Sequence, residues 1–252
     1  MKADHKCVRK QQPKAAFSLI ELLVVIAIIA MLAGILVPTV EVVRAKGKET
    51  ACANNIRQWG QAMGMYLDEH RGVFPTDGTG DEKNYQAAWY NVLPPYIGVD
   101  TFDVLRARGK APCPGMGKSI YVCPSMPIDA KKTGHYVSGS QTSYHLSYAL
   151  NYWINAPKTD PSLSERMRLS QVRYPDAFVL FSEPKDGEKK SVVANAANAP
   201  GASLPGFWHR QRVNVAFADG HVAPVRAQDI GTLQWNPHFG PGEEPGAEAP
   251  GD

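Results

Sequence analysis

The chain has 252 residues, enough for one domain with an anchor and loops, and a formal net charge of +3. The basic excess sits in residues 1–16, where Lys2, Lys6, Arg9, Lys10 and Lys14 face Asp4 alone, and the remainder carries −1. That distribution argues against a general nucleic-acid-binding surface, and it reads as a basic leader that keeps an N-terminus on the cytoplasmic side of a membrane.

From Phe17 to Val37 only Ser18 and Glu21 are strongly polar. At a rise of about 1.5 Å per residue this run spans roughly 30 Å, the hydrocarbon thickness of a bilayer. It is longer than a secretory-signal core of about 7–15 residues, and no small-x-small cleavage site follows. A plain anchor has no use for a carboxylate near one end of the span, so Glu21 implies a partner. Residues 17–38 are therefore predicted as a membrane-spanning helix. The helical period continues over 39–71. Cys52, Ile56, Trp59, Met63, Tyr66 and Leu67 form one apolar stripe, and Arg44, Lys46, Lys48, Glu49, Arg57 and Gln61 lie mainly off it. The stripe is expected to pack on a sheet. Gly72 and Pro75-Thr76-Asp77-Gly78 end the helix.

Residues 72–235 read as one α+β domain. Thr76–Asn84 is a polar loop, Gln86–Ile97 a short helix, and Ser119–Pro124 a short strand. The run Ser143–Trp153 is dense in aromatics, and packing is its leading explanation. Ala177–Glu183 has strand length. Val213, Val215 and Phe217 alternate along a further strand, and Asp219-Gly220 predicts a type I′ hairpin turn before His221–Val225 returns. Residues 236–252 are rich in Pro, Gly and Glu and are expected to be disordered.

Four cysteines are present, and Cys7 lies in the leader and Cys52 in the helical stripe. Cys113 and Cys123 are candidates for a disulfide in an oxidising compartment, with two free thiols as the alternative. No CxxC pair or clustered His accompanies them, so neither a metal nor another cofactor is expected. His209, Asp219 and His221 would make a metal or acid–base set only if the chain folded back around Arg210–Arg212, because a straight strand holds His209 and Asp219 roughly 30 Å apart. Asp77, Asp81 and Glu82 form a loose acidic loop that matches no calcium-ligand frame.

Phe17-Ser18-Leu19-Ile20-Glu21 behind a short basic leader resembles the N-terminal signal of type IV prepilins and type II secretion pseudopilins. The resemblance implies cleavage between Ala16 and Phe17 by a prepilin peptidase and methylation of the new Phe17 amine. It also implies a role for Glu21, as the fifth mature residue, in assembly with other pilin or pseudopilin subunits, and a helix kink at Pro38. The family has Gly before the cut, and Ala16, the next smallest side chain, predicts slower cleavage. Cys52–Tyr66 resembles the helix that follows the anchor in a subgroup of these proteins. His209, nine intervening residues and Asp219-Gly220 resemble the H-x9-DG domain found at the C-terminus of many prepilin-like proteins. The implied fold is a long N-terminal helix packed on an antiparallel sheet.

Three functions follow in order. The first is a pilin-like structural subunit in the inner membrane, single-pass, with a cytoplasmic N-terminus and a periplasmic or surface domain. The second is an anchored binding module in which Trp89, Tyr144, Tyr148, Tyr152, Trp153 and Trp208 meet a glycan or secreted cargo. The third, an anchored enzyme, is disfavoured, because the chain has no nucleophile elbow, no HExxH and no supported carboxylate pair.

Overall fold

The computed structural model describes residues 18–78, 85–110, 119–126, 146–154, 166–185 and 206–237, with the backbone of 193–194. The chain forms two compact units, Met1–Ala45 and Lys46–Asp252. Helix α1, Leu19–Glu69, contributes residues to both. The architecture is α+β.

In the first unit the large apolar side chains from Leu19 to Val43 are exposed. The helix is long and apolar enough to cross a membrane. Such a surface is unfavourable in water and at home in lipid, where the helix satisfies its own backbone groups. A single-pass anchor fits this segment. Pro38 lies inside α1, which continues through it. Having no N–H, Pro38 leaves the Gly34 carbonyl without its helical donor.

In the second unit the predicted stripe is the buried face of α1. Cys52, Ile56, Trp59 and Met63 are fully buried, and Tyr66 and Leu67 nearly so. Glu49, expected off the stripe, belongs to it at i−3 from Cys52 and is buried. The helix closes through a bond from Gly72 N–H to the Leu67 carbonyl, with Arg71 in the left-handed region at φ 55°. Among the short helices that follow in the described residues are α2 (Trp89–Val92) and α3 (Phe102–Ala107). Trp89 meets Trp59 edge to face with ring centroids 5.1 Å apart.

Among the described residues the sheet has five strands: β1 (Ala149–Asn151), β2 (Val179–Ser182), β3 (Val193–Ala194), β4 (Arg212–Phe217) and β5 (Val222–Arg226). Their order is β3-β1-β2-β4-β5. Four of them are antiparallel to their neighbours, and β3 adds parallel to β1 at one edge. Gly60 of α1 approaches Ala216 of β4 so closely that an added Cβ would sit 3.7 Å from the Ala216 Cβ. The alternation of Val213, Val215 and Phe217 is as expected, but the helix covers the opposite face. These three pack instead with Val225 of β5 and with Ile230 and Trp235 of the segment that follows it. Both faces of β4 are therefore buried.

Three local expectations are corrected. Residues 119–126 form turns, not a strand. Side chains of α1 take their carbonyls: Asn55 Nδ2 donates to Ser119 (3.4 Å) and Val122 (3.3 Å), and Trp59 Nε1 donates to Ile120 (3.1 Å). Such side-chain bonds replace a strand neighbour. The β4–β5 turn is a three-residue loop, not type I′. Gly220 N–H bonds the Phe217 carbonyl, Phe217 N–H bonds the His221 carbonyl, and only Gly220 has positive φ, at 93°. Finally, Cys123 is bonded to Cys52, not to Cys113. Cys52 comes to it across 71 residues with Cα atoms 5.0 Å apart. Cys113 lies outside the described residues, as does the expected tail from residue 238 onward, whereas Asn236 is buried.

Candidate functional site

Among the described residues, two places carry unusual chemistry. The first is the start of α1. Ser18 is the N-cap, and its Oγ accepts from Ile20 N–H at 3.3 Å. Glu21 reaches back, and its Oε2 accepts from Ser18 N–H at 2.9 Å. Together they satisfy donors the helix end would otherwise leave bare, the pattern of a capping box. The acid predicted to act between subunits thus also closes the helix of its own chain. The signal was legible, since Ser-x-x-Glu stands before an apolar run. Ala16 and Phe17 lie outside the described residues.

The second lies in the second unit, where α1 meets the sheet. Cys52 comes from α1, Cys123 from the turn held by Asn55 and Trp59, Glu183 from the end of β2, and His209 from the turn before β4. His209 and Arg212 exchange both backbone bonds at 3.1 Å around Arg210 and Gln211, whose φ values are 52° and 61°. This is a two-residue type I′ turn made without glycine. It is the fold-back considered for Arg210–Arg212, and it carries His209 to Glu183 rather than to Asp219.

His209 Nε2 lies 2.9 Å from Glu183 Oε1 and 3.6 Å from Cys123 Sγ. Glu183 Oε2 accepts from Asn214 N–H at 2.9 Å, and Asn214 Nδ2 lies 3.5 and 3.4 Å from the two oxygens. The side chains of His209 and Glu183 are 1% and 0% exposed. Tyr148 packs nearby with its hydroxyl donating to the Cys52 carbonyl at 3.5 Å. Burial raises its phenol well above the ordinary value, and the Glu183 charge adds to this. At the rim, Glu49 links α1 to the first residue of β4. Its Oε2 lies 3.0 Å from Lys46 Nζ and its Oε1 lies 3.6 Å from Arg212. Burial opposes ionisation of Glu49, yet its pKa falls because Lys46, Arg212 and His209 together outweigh it.

Asp219 and His221 stand beyond the far end of β4. Asp219 Oδ1 lies 2.6 Å from His221 Nδ1, and the His221 ring stacks on Phe217 at 4.2 Å. Both are part-exposed, so the structure does not assemble His209, Asp219 and His221 into one site. Of the aromatic candidates, Trp89 and Tyr148 are buried, Tyr152, Trp153 and Trp208 are half-buried, and Tyr144 lies outside the described residues. Asp77 is buried, and Asp81 and Glu82 lie outside the described residues. Sequence reasoning missed Glu183 and Asn214 and the pairing of Cys52. The available signal was the place of Cys52 on the buried stripe.

Residues 12–37 match the family model of the prokaryotic N-terminal methylation motif. No curated protein gives a significant match, and no solved structure does. The matched residues end within α1 and include Ser18 and Glu21. The chain thus carries a prepilin-like N-terminus on a helix suited to a membrane.

Proposed function

We propose that this chain is a pilin-like or pseudopilin-like structural subunit, made as a precursor and assembled into a type II secretion or type IV pilus-like filament. Residues 1–16 stay cytoplasmic, a prepilin peptidase cuts between Ala16 and Phe17, and the Phe17 amine is methylated. The observation that supports this is the coincidence of the methylation motif over 12–37 with the exposed apolar start of α1, where Glu21 is the one acid before Glu41. Cleavage puts a cationic amine at the membrane. A neighbouring subunit's Glu21 neutralises it, and each charge is costly in lipid without the other. The mechanism is packing and charge pairing, with no reaction of its own. The H-x9-DG segment has a structural part in this reading, because His209 is buried between helix and sheet and Asp219-Gly220 forms a turn.

The test is the N-terminus and intact mass of the membrane-extracted chain, expressed with and without a prepilin peptidase. A chain that starts at Phe17 and is heavier by one methyl group is expected when the peptidase is present. An uncut Met1 start with an active peptidase present would overturn the proposal and make 17–38 a permanent anchor for a binding domain.

A further inference from the structure

The cluster in the second unit holds more than a disulfide requires. A carboxylate and an imidazole buried together are expensive, and an apolar pair of similar volume would hold the fold as well. One ligand atom from each of Cys52, Cys123, Glu183 and His209 lies within 4.8 Å of all the others. We propose that the dithiol form of this chain binds one Zn2+ ion through Cys52 Sγ, Cys123 Sγ, His209 Nε2 and Glu183 Oε1.

Two thiolates, an imidazole and a carboxylate are ligand types that zinc takes in tetrahedral sites. With Zn–S of about 2.3 Å and Zn–N of about 2.0 Å, a tetrahedron places S and N about 3.6 Å apart. Cys123 Sγ and His209 Nε2 already stand 3.6 Å apart. The His209–Glu183 contact of 2.9 Å opens by a few tenths of an ångström, and the sulfurs separate to about 3.8 Å. Asn214 N–H keeps Glu183 Oε2 and so aims Oε1 at the ion, as outer partners of metal ligands do. All four residues are buried, which describes a closed structural site.

The chain is synthesised with thiols. Zn2+ binding releases the two thiol protons, and His209 binds through Nε2 as its Nδ1–H tautomer. A small-molecule disulfide then takes two electrons from the thiolates and two protons from solvent, leaving as two thiols. The Cys52–Cys123 bond forms and Zn2+ departs. The domain thereby exchanges a metal crosslink for a covalent one at the same four residues, whatever its N-terminus does.

The test uses the full chain in detergent micelles, reduced with a phosphine and titrated anaerobically with Co2+. The expected result is one equivalent bound, with the intense visible bands of tetrahedral cobalt and a sulfur-to-cobalt charge-transfer band. Zn2+ should bleach both, and the oxidised chain should give neither. Cys7→Ser with Cys113→Ser retains the spectrum, while Cys52→Ser loses most of the charge-transfer intensity and Glu183→Gln weakens binding at least tenfold. Far-UV dichroism accompanies each titration. If the reduced chain is unfolded without metal, Zn2+ restores its helical signal. A pale octahedral spectrum, a charge-transfer band that survives Cys52→Ser, or a reduced chain whose fold and spectrum ignore both ions would overturn the assignment.

Discussion

At the scale of single residues, Glu21 carries two separable jobs. Its carboxylate accepts from Ser18 N–H, and in the proposed filament its charge meets a neighbour's amine. Glu21→Gln keeps the capping geometry, because Gln serves the same box, but removes the charge. Glu21→Val removes both and costs the helix start about 1 kcal/mol. Both variants should insert in the membrane, and both should be absent from filaments when pelleted fibres are probed. Normal incorporation of the Gln variant would show that the cap, and not the charge, is what assembly needs. The buried pair makes the complementary point. Glu183 is held by Asn214 and His209 together, so no one of these residues can be read as a site by itself.

At the scale of elements, α1 and β4 are joined by packing at Gly60–Ala216 and by charge at Glu49–Arg212. The charged link has a pH signature. Glu49 has a folded pKa below its ordinary 4.5, so the stability it adds is fully present above that value. The contribution is lost as pH falls through the depressed folded value. Glu49→Gln should therefore cost about 0.5–1 kcal/mol at neutral pH, the range of a part-screened pair. The difference from the parent should shrink below about pH 4.5 in urea-unfolding curves. A gap that stays constant down to pH 3 would assign the cost to packing instead. The turn at 119–126 teaches a related lesson. Its apolar residues look like a strand, yet Asn55 and Trp59 take the carbonyls that a strand would offer to a neighbour.

At the scale of the whole molecule, the Cys52–Cys123 bond ties α1 to the turn at 119–126 across 71 residues of chain. Closing a loop of that length in the unfolded chain is worth about 4 kcal/mol by chain entropy, with measured native bonds at about 2–5 kcal/mol. Reduction, or Cys123→Ala, should lower the unfolding free energy of the second unit by that amount in a denaturant titration monitored by its buried tryptophans. Cys113→Ala should leave it unchanged. If Cys113→Ala were as damaging as Cys123→Ala, the disulfide assignment would be wrong.

The sequence by itself determined the elements whose signal is periodic or local. The apolar run to Val37, the stripe from Cys52 to Leu67, the β4–β5 hairpin and the methylation motif are all short-range patterns, and each reads without knowing what it packs against. The tertiary structure alone decided which cysteine meets Cys123, which face of β4 the helix covers, and that Glu183 and His209 lie side by side. These depend on contacts between residues far apart in the chain: 71 positions separate the bonded cysteines, and 26 separate Glu183 from His209. Spacing in sequence carries no distance at that range, because the reversal at Arg210–Gln211 and the closure of α1 on the sheet set the geometry.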